Sequence, residues 1–105
     1  MTRDREIAGA ISDGINCIYA FVTALRAGAS PTPVPEWLTT LQEMERALDG
    51  VMAKEVMTSM VVGEEERDRV RRVSALVADW IATGAAPSEL QTTAEAVLRF
   101  FGLRI

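Results

Sequence analysis

Apolar positions in this chain recur every three or four residues in blocks separated by glycine and proline, the pattern of amphipathic helices. The first block carries Ile7, Ile11, Ile15, Ile18, Val22 and Leu25 as a branched ridge, with Ala10, Gly14, Cys17 and Ala24 as a small-residue strip beside it. Together they cover about half of a helical wheel, which predicts a central helix over 3–27 that touches at least two neighbours. Gly28 supplies the stop, because a left-handed cap costs glycine least.

Pro31, Pro33 and Pro35 then make a stiff, extended connection, and Pro35 is suited to open the next helix, over 35–49. Trp37, Leu41, Met44, Leu48 and Val51 share one of its faces. Continued unchanged, that helix would place Glu55 in the middle of the face. The next apolar set is instead Met52, Ala53, Val56, Met57, Met60 and Val61, a stripe rotated by roughly 130°. A break at Asp49-Gly50 and a short helix over 51–62 are therefore expected.

Glu64, Glu65 and Glu66 suit the positive end of a helix over 64–83, in which Val70, Val73, Val77, Trp80 and Ile81 form the apolar stripe and Gly84 the stop. Ser88-Glu89-Leu90-Gln91 has the capping-box spacing and opens a last helix over 88–101, lined by Leu90, Ala94, Val97, Leu98 and Phe101. Neither strand alternation nor an internal repeat is present. The expected class is all-α, a compact bundle of four main helices plus a short fifth, forming one domain over 1–105.

Composition agrees with a folded chain: 49% of the 105 residues are hydrophobic and 25% charged. A net charge of -4 disfavours nonspecific attraction to phosphate backbones and anionic membranes. Cys17 is the sole cysteine and cannot form an intramolecular disulfide, so the cytoplasm is the expected compartment. The most apolar run, Gly14 to Leu25, is uncharged for 12 residues, short of the roughly 20 expected of a membrane span. The mixed-charge start Arg3-Asp4-Arg5-Glu6 is not the basic region of a signal peptide.

Histidine is absent, which removes the side chain most used as acid, base and metal ligand near neutral pH. Cys17 lies in the small-residue strip and is expected to pack as a small hydrophobe. The block Glu64 to Arg72, EEERDRVRR, holds four acids and four arginines. Glu65 with Arg69 and Asp68 with Arg72 have the acid-first i,i+4 spacing of a self-neutralised helix face. Arg67 and Arg71, one turn apart, could instead form a fork for carboxylates or phosphates on a partner.

Other chemistries fit less well. Glu64, Glu65 and Asp68 superficially resemble the first half of the EExxE pattern of all-α nucleotide pyrophosphohydrolases. The second half is missing, since Glu89 is followed three residues later by Thr92 and Glu95 by Leu98. A helix-turn-helix reading would send Glu64, Glu65 and Glu66 toward DNA phosphates, which would repel them. Zinc spacings and phosphate-binding loops are lacking.

Met44, Met52, Met57 and Met60 fall within 17 residues. Methionine fills irregular core gaps, yet a Met-rich face can also serve as an adaptable docking surface. The expectation is a noncatalytic regulator or inhibitor, without cofactor or metal, that occupies a surface of a larger protein. Inhibitors that mobile elements direct against host defence systems are compatible with it. The candidate contact residues are Met52, Val56, Met57, Met60, Val61, Arg67 and Arg71. Homodimerisation is a related expectation. A carboxylate-metal hydrolase and a helical DNA-binding regulator are the alternatives.

Overall fold

The computed structural model describes residues 2–29, 31–51, 55–56, 60–61 and 63–103, and the side chains of 5–29, 31–49 and 63–103. Four helices account for most of it: α1 (Thr2–Arg26), α2 (Pro35–Val51), α3 (Glu64–Thr83) and α4 (Ser88–Phe100). The main packing contacts are α1 on α2, α2 on α3, α3 on α4 and α4 on α1, which closes the four helices into a ring. α1 packs chiefly on two neighbours, as its broad apolar arc predicts, but so does every other helix. It is one corner of the ring and not its centre.

Inside the ring the predicted faces supply the core: Ile11, Ile15, Ile18 and Val22 from α1, Leu41, Met44 and Leu48 from α2, Val70, Val73 and Val77 from α3, and Leu90, Ala94, Val97 and Leu98 from α4. Phe21 of α1 and Leu76 of α3 are also buried. Phe21, Trp37 and Trp80 form a cluster with ring centroids 5.5 to 6.0 Å apart, joining three helices through tilted and edge-on contacts. Within the small strip of α1, Gly14 lies on the seam against α2. It sits so close to the buried Met44 that an added Cβ would lie 2.9 Å from the Met44 Cβ.

Helix ends follow the glycines. Gly28, Gly84 and Gly102 take positive φ, and the Gly84 N–H closes α3 onto the Trp80 carbonyl. The capping box at Ser88 does not form. Pro87 occupies the cap position, no side chain caps the helix, and the Gln91 amide donates to Glu95 Oε2 at 3.1 Å instead. Ser88 has become the first helical residue, where its hydroxyl no longer faces the amide three residues on.

Among the described residues, the short fifth helix expected over 51–62 is not found. α2 runs through the expected break to Val51. Beyond it, β1 (Glu55–Val56) and β2 (Met60–Val61) pair antiparallel, Glu55 opposite Val61 and Val56 opposite Met60. The apolar repeat that suggested a helix coincides with valines, whose branched Cβ favours extended backbone. By length and composition, Arg5–Arg26 of α1 is long and apolar enough to cross a membrane. The same helix contributes five large side chains to the core.

Candidate functional site

The expected contact residues divide into two groups. Met52 and Met57 lie outside the described residues. Val56, Met60 and Val61 belong to the β1–β2 pair, described in its backbone only. Arg67 and Arg71 stand one turn apart on α3, as expected; Arg71 is hydrogen-bonded from within the chain, whereas Arg67 lies near the same carboxylate without a hydrogen bond and its Nη1 is enclosed without a partner. Asp49, near the end of α2, places Oδ1 2.7 Å from Arg71 Nη2 and 3.8 Å from Arg67 Nε. Arg71 Nη1 also donates to Asp68 Oδ1 at 2.6 Å.

The rest of the charged block is wired in the same way. Arg69 bonds both Glu66 and Glu65, the latter at 2.7 Å, so the Glu65–Arg69 pair forms at its predicted spacing. The predicted Asp68–Arg72 pair does not form. Asp68 turns to Arg71, and Arg72 reaches α4, donating to Glu89 Oε2 at 2.8 Å. These pairs bridge α3 to both of its ring neighbours, while Arg26 and Glu95, 3.9 Å apart, bridge α1 to α4. Most of the charges involved are well exposed, so each pair contributes orientation more than stability.

Glu66 differs because it is buried in the first turn of α3. One oxygen meets Arg69, while Oε2 is enclosed without a partner. Burial raises its pKa; the Arg69 charge opposes that rise and the neighbouring Glu65 adds to it. The hydrolase alternative required Glu64, Glu65 and Asp68 to converge on a cation, whereas Glu65 and Asp68 each hold an arginine. Among the described residues no three His, Cys, Asp or Glu side chains gather as metal ligands. Cys17 is half-buried against the core, and burial pushes its thiol up to about 11, leaving little thiolate at neutral pH.

Open depressions among the described residues include two of similar size. One, of roughly 440 Å³, runs between α3 and α4 over Arg69, Arg72, Thr92 and Thr93, and its arginines are already paired. The other, of roughly 460 Å³, is framed by Leu25, Pro31, Pro33, Trp80 and Ala86 where the proline connection passes the end of α3. Neither brings an unpaired charged group together with a nucleophile.

The outward face of α1 is the feature that the periodicity of its buried ridge leaves unremarked. Between Asp13 and Arg26 its exposed residues are Asn16, Tyr19, Ala20 and Thr23, none of them charged. Exposed Ala8 and Gly9 and half-buried Ser12 extend the strip toward the N-terminus, and Ala27 continues it beyond Arg26. Tyr19, 43% exposed, is the most exposed large hydrophobic side chain described. Thr23 turns its hydroxyl back to the Tyr19 carbonyl at 2.7 Å, which satisfies that hydroxyl within the helix. By contrast, the exposed positions of α2 include Glu36, Glu43, Arg46 and Asp49, and those of α3 include Glu64, Glu65, Asp68, Arg71, Arg72 and Asp79. Compared with protein-family models, curated proteins and solved structures, the chain shows no match.

Proposed function

We propose that this protein is a noncatalytic interaction module, a small regulator or inhibitor that acts by occupying a surface of a larger protein. The observation that carries the reading is the stretch of the outward face of α1 between Asp13 and Arg26, which is uncharged in a chain of which one quarter is charged. Charged residues are depleted from the centres of protein interfaces because burying them is costly, whereas tyrosine is enriched there. The internally paired arginines of α3 support it too. Arg71 serves the α2–α3 junction through Asp49, and Arg67 is largely buried beside the same carboxylate, which moves the expected contact surface from α3 toward α1. A cytoplasmic address belongs to the same reading, from the single cysteine.

Affinity capture from the native cell, with wild type and Ala20→Arg side by side, tests it. A larger protein captured by the wild type and lost with the variant is the expected result. The pair Met57→Glu and Met60→Glu, introduced together, asks the same of the methionine segment. A captured protein retained by all variants would overturn both surfaces. The hydrolase alternative predicts that magnesium or manganese raises thermal stability, and the occupied carboxylates of Glu65 and Asp68 argue against such a rise.

A further inference from the structure

We propose that the depression beside the proline connection is a binding site for a small uncharged molecule, one that joins a compact apolar body to a hydrogen-bond acceptor. It is a different part of the molecule from the outward face of α1, and it stands or falls apart from the reading of that face.

The site is assembled where α1 and α3 end together. Leu25 comes from the last turn of α1, Pro31 and Pro33 from the connection to α2, Trp80 from the last turn of α3, and the opposite rim from the Gly84–Ala86 turn. Its walls are set before any ligand arrives. The proline rings fix φ at Pro31 and Pro33. Gly84 takes the left-handed cap with its N–H on the Trp80 carbonyl, and Thr83 Oγ1 accepts the Ala85 N–H at 3.3 Å. A preformed wall spares a ligand the cost of ordering it. The volume, roughly 460 Å³, is that of a small-molecule site.

The lining sets the polarity of the ligand. None of its side chains is charged. A charged ligand would give up water for walls that hold no counter-charge, whereas an apolar body gains by covering Leu25, the prolines and the alanines of the turn.

Trp80 supplies the polar handle. It is only 2% exposed, and its indole N–H donates to no group among the described residues. That nitrogen is not one of the fully enclosed side-chain atoms without a partner, which among the described residues are Glu66 Oε2, Arg67 Nη1 and Ser74 Oγ. It therefore lies in the narrow part of Trp80 that stays accessible, and the depression that Trp80 lines is where that part opens. A buried tryptophan ordinarily finds an acceptor for this donor. A purely apolar ligand would cover the N–H and leave it unmatched, whereas a ketone, ester or amide oxygen matches it. Pro31 and Pro33 add no competing backbone donor.

Proton–nitrogen correlation spectra of the isotope-labelled full chain, titrated with acetophenone to about 10 mM, read the site directly. Acetophenone is one apolar ring with one ketone oxygen. The Trp80 indole N–H and the backbone amides of Gly84, Ala85 and Ala86 are expected to shift together and to saturate, with a dissociation constant on the order of 1 mM. Benzoate, of the same size but charged, should bind at least about tenfold more weakly. Ala85→Phe, at an exposed position on the rim, should fill the mouth and weaken acetophenone by about tenfold or more. Trp80→Phe keeps an aromatic ring and removes the donor, so the amides of the turn should report about threefold weaker binding or worse. Far-ultraviolet circular dichroism checks that both variants keep their helix content, and Ala85→Phe decides alone if Trp80→Phe does not fold. Shifts that grow without saturating overturn the proposal, as do saturating shifts that leave the Gly84–Ala86 amides unmoved. So do benzoate binding as tightly as acetophenone, and binding unchanged by Ala85→Phe or by a folded Trp80→Phe.

Discussion

The outward faces of α1 and α3 are both exposed helix surfaces of similar length, yet they are built on opposite principles. α3 carries acids and arginines along its length, and those charges are turned to its neighbours: Arg71 and Arg67 to Asp49 of α2, Arg72 to Glu89 of α4. α1 carries none between Asp13 and Arg26. A charged helix face can thus be a closed one, already answered within the chain, while a bland face of mostly small residues remains open. Charge density alone is a poor guide to where a small protein binds, because paired surface charges are common and individually weak.

Within α1 itself the contrast between inward and outward positions gives the largest expected effect. Phe21 is buried between Trp37 and Trp80, and Phe21→Ala should cost about 3–5 kcal/mol by leaving a cavity at the meeting point of three helices. Tyr19, two residues away on the open face, should change stability by less than about 0.5 kcal/mol when made alanine. Urea denaturation of both variants measures the difference. Equal losses would mean that Tyr19 is part of the core and that the open face does not exist.

Next in size is a pair of glycines whose substitution should have opposite signs. Gly14 lies on the seam against Met44, and Gly14→Ala forces the Met44 Cβ or the whole α1–α2 seam to give way. Such overpacking costs about 1–3 kcal/mol, more than the roughly 1 kcal/mol that alanine gains in helix propensity. Gly9 is on the open side, with nothing within 4 Å of an added Cβ, so Gly9→Ala should stabilise the protein by up to about 1 kcal/mol. Thermal melts of the two variants should move in opposite directions.

The positions of α1, α3 and α4 were legible in the sequence because glycines and apolar spacing marked the same ends, whereas α2 runs past Gly50 to Val51. Phe21 was not legible, although it completes the three-four spacing of the small strip, Ala10, Gly14, Cys17, Ala24, at the one position between Cys17 and Ala24. A large aromatic in a row of small residues is easily set aside. It fits because Trp37 and Trp80 come from other helices to meet it, a fact of packing and not of local order. The destination of each arginine was hidden for the same reason. Spacing along α3 predicts Glu65–Arg69 correctly, but Asp49 and Glu89 enter from neighbours 22 and 17 residues away in sequence from Arg71 and Arg72. The 51–62 segment was misread because an apolar repeat of a few residues carries little information about period, and its valines favour pairing over helix.

A smaller effect separates the two wired edges of α3. Asp49 is shared by two arginines, one of them, Arg67, with a side chain only 19% exposed. Asp49→Ala leaves that guanidinium without its carboxylate and should cost about 1 kcal/mol, reduced at high salt. Arg72 and Glu89 are both more than half exposed, so Arg72→Ala should fall within about 0.5 kcal/mol of wild type. A loss from Arg72→Ala as large as that from Asp49→Ala would show that the α3–α4 edge is as tightly held as the α2–α3 edge.

The smallest effect concerns Glu66, the charged residue of the block that turns inward. Its carboxyl is held above the ordinary value of 4.5, so over the interval between 4.5 and that raised pKa the folded protein binds more protons than the unfolded chain. Stability contributed by this group must therefore rise as the pH falls from neutral toward 4.5, and it is lost again as the pH climbs back through the raised pKa. Glu66→Gln removes the titration while Arg69 keeps its bond to Glu65. The variant should match or slightly exceed the wild type at neutral pH, by less than about 1 kcal/mol, and the wild type should recover the difference on acidification. Parallel urea titrations at neutral pH and near pH 5 read that difference with the other carboxylates in common. A difference that stays constant with pH would mean that Glu66 is as well solvated as its exposed neighbours, and that α3 turns no charge toward the core.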